Sequence, residues 1–170
     1  TDISAQLVDP NGYWTLQSGW AFESGRVSYD ALTYARYITQ SLTFELEKFY
    51  KIQFTISTGT ARLKFTNESD VQLFTNIGKD NYAPDSYTLY GKAIASTELR
   101  IYGYNNSGGV ACSITNISVE QLDPNDYWTL GTGWSLEVGK AISTVTGSNS
   151  DITQSILTAG KTYRTVYEIV

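Results

Sequence analysis

The sequence has no histidine, no methionine and a single cysteine, Cys112, among its 170 residues. Without histidine, neither a Ser-His nor a Cys-His nucleophile can form, and the zinc sites built from histidine or several cysteines are excluded. One cysteine allows no disulfide within the chain. Cys112 lies in a run of alternating apolar residues, which predicts a buried and unreactive thiol.

Long apolar runs and an excess of positive charge are missing as well. No stretch of about 18 apolar residues occurs, so the sequence predicts no membrane-spanning helix. The 12 Lys and Arg residues are outnumbered by 17 Asp and Glu residues, which leaves a formal net charge of −5. Nucleic acids and anionic membranes bind basic surfaces, so we expect no nucleic-acid partner and no membrane insertion.

The residues that are abundant favour β-strands. Thirteen tyrosines and four tryptophans accompany frequent Thr, Ser, Val and Ile, and turn residues recur about every eight to twelve positions. Alternation is clearest in residues 49–57, where four apolar side chains are predicted to point inward: Tyr50, Ile52, Phe54 and Ile56. A turn at Gly59 then leads into a second alternating strand. We count nine or ten strands in residues 9–122, the unit that repeats, which is enough for two packed antiparallel sheets in an all-β fold.

One motif occurs twice in the sequence. The run 9–16, Asp-Pro-Asn-Gly-Tyr-Trp-Thr-Leu, returns at 123–130 as Asp-Pro-Asn-Asp-Tyr-Trp-Thr-Leu, an offset of 128 − 14 = 114 between the tryptophans. Ile38-Thr39-Gln40-Ser41 returns at the same offset as Ile152-Thr153-Gln154-Ser155. After a one-residue deletion, residues 48–51 line up with 161–164. A period of this length indicates duplication of a whole domain, because solenoid units are only about 20–50 residues long.

The repeat sets the predicted domain boundaries. Residues 1–4 match 115–118 at the same offset, so residues 1–8 are expected to be the closing strand or linker of a preceding repeat, detached from the core that follows. Residues 9–122 are predicted to form one complete domain. Residues 123–170 are predicted to be the first half of a following repeat, which makes the sequence a window on a longer tandem array.

The order of features resembles a known family. An aromatic opening with Gly19-Trp20 precedes the strand Ile38-Thr39-Gln40-Ser41-Leu42, then Gly160-Lys161-Thr162-Tyr163-Arg164 in the second copy, and the repeat closes with Asn116-Ile117-Ser118-Val119. This order resembles the jelly-roll carbohydrate-binding modules of the family 4 and 9 type and their galactose-binding-like relatives. The resemblance spans a whole repeat. It implies tandem antiparallel jelly-roll β-sandwich repeats with a period of 114 residues.

The resemblance also bears on metal binding and on the tryptophans. The last strand of the family usually carries an Asp that often helps hold a structural calcium, and Asn116 stands there in this sequence, while Asp2 fills that place in the preceding copy. No cofactor is therefore expected, although a structural calcium stays open. Trp14 and Trp20 recur in both copies, which suits a framework role better than ligand contact. Together with Tyr50, Phe54 and Phe65, they are predicted to be mostly buried.

A second resemblance rests on the tandem arrangement and on the amino-acid composition. Tandem sandwiches that are rich in Tyr and Thr and poor in Cys and His look like the appendage proteins of tailed bacteriophages, such as tail or head fibres. This implies a virion-surface or extracellular location. It also implies other virion or surface proteins as partners, a homo-oligomeric state and a host-surface glycan as a ligand.

The first candidate site is a segment that differs between the two copies. Residues 27–37 have no match in 141–151, and Tyr29, Tyr34 and Tyr37 are without counterparts, as is Arg36. A loop that varies on a constant scaffold is where recognition usually lies, so these tyrosines are candidate ligand contacts. The alternatives are drift in a surface loop and packing against a neighbouring repeat or subunit.

The second candidate site is one face of a strand. Arg100, Tyr102 and Tyr104 alternate with core positions, so they are predicted to share the non-core face. Aromatic rings stack on the apolar faces of sugar rings, and arginine donates hydrogen bonds to vicinal hydroxyls, so this face suits a glycan. If the inward and outward positions of this strand are the reverse of those predicted, the same tyrosines belong to the core.

No catalytic residue is predicted. A glycosidase needs two carboxyl groups about 5–10 Å apart across a cleft, whereas Asp30, Asp80 and Asp85 lie in predicted loops without a partner. The interpretation is a non-enzymatic structural and adhesion protein, a bacteriophage fibre segment with weak, multivalent glycan binding. The alternative is a carbohydrate-binding accessory array of a secreted glycoside hydrolase or a bacterial surface adhesin. A third possibility, intermediate between these two, is a purely structural spacer that binds no ligand.

Overall fold

The computed structural model describes residues 13–23, 25–30, 36–78, 80–103, 111–123, 127–137, 140–144, 149–166 and 168–169. All regular elements in these ranges are β-strands, and every strand pairing between them is antiparallel. The all-β prediction is therefore confirmed. The chain divides into two compact units, Thr1–Leu122 and Asp123–Val170. The predicted detached strand at residues 1–8 lies outside the described residues.

In its described residues, the first unit contains ten strands in two five-stranded sheets. The first sheet has the order β1-β4-β9-β6-β7 and the second has the order β2-β3-β10-β5-β8. The strands are β1 Thr15–Leu16, β2 Trp20–Glu23, β3 Arg26–Tyr29, β4 Arg36–Thr43, β5 Phe49–Thr58, β6 Ala61–Thr66, β7 Asp80–Tyr82, β8 Asp85–Lys92, β9 Thr97–Gly103 and β10 Cys112–Gln121. Apolar side chains of both sheets meet in one core, where the rings of Phe54 on β5 and Phe65 on β6 are 5.7 Å apart. The unit is thus a β-sandwich.

The predicted alternation of β5 is confirmed. Tyr50, Ile52, Phe54 and Ile56 are buried, while the residues between them reach the surface. Successive side chains of a strand point to opposite faces, so a period of two in the sequence becomes one apolar face in the sandwich. Burial of each such side chain contributes about 1.5–3 kcal/mol.

The predicted framework residues lie in this core, with one exception. Trp20, Tyr50, Phe54 and Phe65 are buried, as predicted. Trp14 is only partly buried and packs against the core from outside. The difference arises because Trp14 directly precedes β1, a two-residue strand at the edge of its sheet, where fewer neighbours cover a side chain.

Over the part of the second unit that the structure describes, there are four strands in two two-stranded sheets. β11, Thr129–Leu130, pairs with β14, Ile152–Thr153, and β12, Trp134–Glu137, pairs with β13, Lys140–Ser143. These pairings have counterparts in the first unit at an offset of 114, because Thr129↔Thr153 corresponds to Thr15↔Thr39. The wider tandem array stays a prediction. No helix in the described ranges is long and apolar enough to cross a membrane.

Cys112 is buried at the start of β10, as predicted, and this has a measurable consequence. Burial raises the pKa of its thiol from 9.0 to about 11. The thiolate is the reactive form, so at about pH 8 its population falls roughly 100-fold below that of an unperturbed thiol. We expect alkylation of the native protein to be slower by at least this factor than alkylation in urea, measured by mass spectrometry. Equal rates in the two conditions would contradict the burial.

Candidate functional site

The outer face of the first sheet carries two of the predicted site residues. On β9, Leu99 and Ile101 point into the core, and Arg100 and Tyr102 alternate with them on the outside, each half-buried. Arg100 and Tyr102 therefore share the non-core face, and an inverted phase of this strand is ruled out. Tyr104 lies outside the described residues.

Strand β4 brings Tyr37 to the same place. Tyr37 is the direct cross-strand partner of Tyr102, and the ring centroids are 4.9 Å apart with the ring planes tilted by 53°. Directly opposite residues in an antiparallel pair project on the same face, which explains the contact. Tyr37 from the first candidate site and Tyr102 from the second therefore form one ring pair, although they are far apart in the sequence.

Two cations flank the ring pair. The guanidinium carbon of Arg100 lies 4.5 Å from the ring centroid of Tyr37, and the ammonium nitrogen of Lys64 lies 5.6 Å from that of Tyr102. Both distances lie within the range of cation–π attraction. Lys64 comes from β6 and is the cross-strand partner of Tyr102 on the other side. We call Tyr37, Lys64, Arg100 and Tyr102 the tyrosine patch.

Carboxylates neutralise both cations of the tyrosine patch. Arg100 Nε lies 2.5 Å from Glu98 Oε1, and Lys64 Nζ lies 2.6 Å from Asp70 Oδ1. Burial by itself lowers the pKa of Arg100, but side-chain hydrogen bonds to Glu98 and Tyr102 and the charge of Glu98 outweigh it, so the pKa is raised. The patch therefore presents two rings and fixed hydrogen-bonding groups with balanced charge.

Lys64 belongs to the tyrosine patch but was not among the predicted site residues. On β6, Lys64 alternates with the buried Leu63 and Phe65 and therefore lies outside the core. No signal in the sequence indicated that β6 lies next to β9, because that pairing joins strands about 35 residues apart along the chain. Neighbouring strands of a sheet are a tertiary property.

Tyr29 requires a correction. On β3, Val27 and Tyr29 alternate inward, and Tyr29 is only 2% exposed. Its ring stacks on Trp20 at 4.9 Å between centroids, and burial, with the charge of Asp30 adding to it, raises the pKa of its hydroxyl. Tyr29 is therefore a core residue and does not lie in an exposed loop. It lines a cleft of the second sheet, and ligand contact by Tyr29 stays a prediction. Tyr34 lies outside the described residues.

The carboxylates considered for catalysis also lie differently from the prediction. Asp80 and Asp85 open strands β7 and β8 instead of lying in a loop. The Asp80 side chain accepts a hydrogen bond from the N–H of Asn81 at 2.8 Å, and the Asp85 side chain accepts one from Ser86 at 2.7 Å. Both carboxylates thus bind the backbone at the starts of their strands. Within the described ranges, no three acidic or cysteine side chains group as they do around a metal ion.

A cleft of about 400 Å³ lies away from the tyrosine patch, on the second sheet. Its walls include Ser28, Thr58 and Ser113, whose hydroxyls bond to one another at 3.1 Å and 3.0 Å. Trp20 also lines it, but this ring is buried and offers no open face to a ligand. Since the tyrosine patch brings half-buried tyrosine rings and hydrogen-bond donors together on an outer sheet face, we place the candidate site at the patch.

Comparison with known proteins bears on the fold. No protein-family model matches the sequence, and no curated protein matches it significantly. A solved structure described as "CBM4 structure and function" is similar with a TM-score of 0.50 and 11% identity, over 67% of this chain and 98% of that chain. The secreted serine protease VesC from Vibrio cholerae gives a TM-score of 0.42 at 12% identity, over 65% of this chain and 25% of that chain. The first of these likenesses agrees with the predicted carbohydrate-binding-module type of β-sandwich.

Proposed function

We propose that this protein is a non-enzymatic carbohydrate-binding β-sandwich whose ligand contacts Tyr37 and Tyr102. The observation that carries the proposal is the ring pair of the tyrosine patch, half-buried on an outer sheet face and flanked by Arg100 and Lys64. Tyrosine rings offer apolar faces to sugar rings, and the flanking Arg100 and Lys64 donate hydrogen bonds to hydroxyls. The likeness to the CBM4 structure supports the same function.

The charges of the patch suggest which glycans it takes. Arg100 and Lys64 are each paired with a carboxylate, and the whole sequence has a net charge of −5. A polyanionic glycan would be repelled overall and would have to displace both ion pairs. The patch therefore favours neutral sugars. Two tyrosines on an open surface give weak binding to a single site, and repeated sites give strong attachment through avidity.

The setting we propose is extracellular or on a virion surface. The sequence is rich in Tyr and Thr and has one Cys and no His, which supports a bacteriophage fibre with a host-surface glycan as ligand. Its partners would be other virion proteins and further copies of the same chain, without nucleic acid or membrane insertion. The alternative is an accessory array of a secreted glycoside hydrolase or a bacterial adhesin, for which the same tyrosine patch would serve.

Replacement of Tyr102 by alanine tests the proposal. We expect the affinity for a glycan identified by array screening to fall roughly five- to thirtyfold, since loss of a stacking ring costs on the order of 1–2 kcal/mol of binding. The melting temperature should change little because Tyr102 is half-buried outside the core. Affinity electrophoresis measures the first quantity and calorimetry the second.

Tyr90 provides the matched control. It is half-buried like Tyr102, but it lies on β8 of the second sheet, paired with Lys51 on β5. Tyr90→Ala should leave glycan retention unchanged. If both variants bind as well as the unmodified protein, the tyrosine patch is not the ligand site. If no glycan on the array is retained, the spacer function replaces the proposed one.

A further inference from the structure

In the described part of the first unit, the two sheets end in four edge strands, and three of these are short. β1 has two residues, β7 has three and β2 has four. β8 has eight residues and pairs with β5 from Asp85 to Lys92 without a bulge. Proteins protect an edge strand with shortness, charge, proline or a bulge, because its free backbone groups otherwise pair with another strand. The residues between Asp85 and Lys92 are Ser-Tyr-Thr-Leu-Tyr-Gly, so the long edge of β8 carries none of these protections.

The hydrogen bonds at the end of β8 show which backbone groups face away from β5. The N–H of Ala93 donates to Lys48 O at 2.8 Å, on the side of β5. Lys92 faces the other way, because its N–H donates to Thr75 Oγ1 at 3.0 Å and its C=O accepts from the Thr75 N–H at 2.9 Å. The bonding direction alternates along an antiparallel strand, so the even-numbered residues of β8 direct their backbone groups outward.

Three further residues of β8 are even-numbered, and they form its outward edge: Ser86, Thr88 and Tyr90. The Ser86 N–H donates to Asp85 Oδ1 at 2.7 Å. Within the described residues, no strand lies beyond β8, so nothing in the sheet binds the outward groups of Thr88 and Tyr90. The edge therefore offers the N–H groups of Thr88 and Tyr90 and the C=O groups of all three residues to an added strand.

We infer that this edge is a dimer interface, at which β8 of a second copy of the chain adds in antiparallel orientation about a twofold axis through Thr88. In this register Thr88 lies opposite Thr88, and Tyr90 lies opposite Ser86 of the second copy. A shift by two positions one way would bring Ser86 opposite Lys92, whose outward groups are bonded already. A shift the other way would bring Tyr90 opposite Pro84, which has no N–H. The axis through Thr88 thus pairs all three outward residues.

The edge also complements itself in length, charge and packing, which identifies a second copy as its occupant. In this register Asp85, where β8 of the second copy begins, lies opposite Gly91, so the added strand ends before Lys92 and no like charges face each other. Tyr87 and Leu89 are half-buried against the edge of the core, and each lies opposite the other across the axis. Such cross-strand pairs stabilise a sheet, so each copy covers the apolar edge of the other.

Replacing Thr88 by proline tests the interface. The Thr88 N–H faces away from β5, so proline keeps the pairing with β5 but removes the pair of N–H groups at the axis. Sedimentation equilibrium of the full chain should show a monomer–dimer equilibrium, and Thr88→Pro should raise the dissociation constant at least about tenfold. Thr88→Ala keeps the N–H and is the matched control, with an unchanged dissociation constant. A chain that is monomeric at every concentration, or a Thr88→Pro variant that dimerises like the control, would overturn the inference.

A pair of charged variants tests the register without proline. Thr88→Lys places two ammonium groups opposite each other at the axis, and Thr88→Glu places two carboxylates there, so each variant alone should dimerise more weakly. Mixed in equal amounts, the two variants should form the mixed dimer in excess over both homodimers, measured by native mass spectrometry. A statistical mixture would refute the twofold axis through Thr88. Neither experiment involves a glycan, so its result is separate from that of the proposed function.

Discussion

Replacing Trp20 by alanine is expected to lower the free energy of unfolding of the first unit by roughly 3–5 kcal/mol. Trp20 is buried, and its ring stacks on Tyr29 at 4.9 Å between centroids. Gly103 of the first sheet leaves room for the Trp20 ring because it has no side chain. A Cβ atom at this position would lie 2.9 Å from Trp20 Cζ2 and 2.6 Å from Tyr29 Cδ1. Truncation removes the largest side chain of this corner and leaves a cavity that the paired strands around it prevent from collapsing.

Urea denaturation followed by circular dichroism measures this effect. Trp128→Ala is the control, since Trp128 is exposed and its removal should change the stability by less than about 1 kcal/mol. If Trp20→Ala costs no more than the control, Trp20 is not the structural centre that its burial indicates. A measured loss near the expected range would also explain why a tryptophan occurs at this point in both copies of the motif.

Replacing Gly59 by alanine is expected to destabilise the first unit by about 2–5 kcal/mol. Gly59 turns the chain from β5 into β6 with a φ of +71°, a conformation that costs an L-residue about 1–2 kcal/mol. A Cβ at this position would also overlap the carbonyl oxygen of Ala111 and lie 2.9 Å from its carbonyl carbon. Backbone atoms at the start of β10 cannot rotate away as a side chain can, so this crowding adds roughly 1–3 kcal/mol.

Substitution of Gly25 distinguishes the conformational cost from the cost of crowding. Gly25 also has a positive φ, +81°, in the turn between β2 and β3, but a Cβ there would meet nothing within 4 Å. Gly25→Ala should therefore cost only about 1–2 kcal/mol, the conformational part. Thermal unfolding of the two variants under identical conditions gives the difference. Equal losses would mean that the backbone of Ala111 moves aside and that the crowding is relieved.

Much of the fold could be predicted from the sequence because it depends on local periodicity. A strand places alternate side chains on opposite faces, so the apolar positions of residues 49–57 predicted a buried face in advance. The same rule placed Arg100 and Tyr102 outside the core. The recurrence of the Trp-containing motif predicted a framework role for both Trp14 and Trp20. Trp20 is buried, whereas Trp14 is only partly buried because it precedes an edge strand.

The site depended on information that periodicity does not contain. Alternation states on which side of a strand a residue lies, and it does not state which strand lies beside it. The register of β4 on β9 placed Tyr37 against Tyr102, and the pairing of β6 with β9 added Lys64. The same tertiary arrangement buried Tyr29 against Trp20. The sequence by itself thus determined strand content and core faces, and only the non-local pairing of strands decided which tyrosines share a surface.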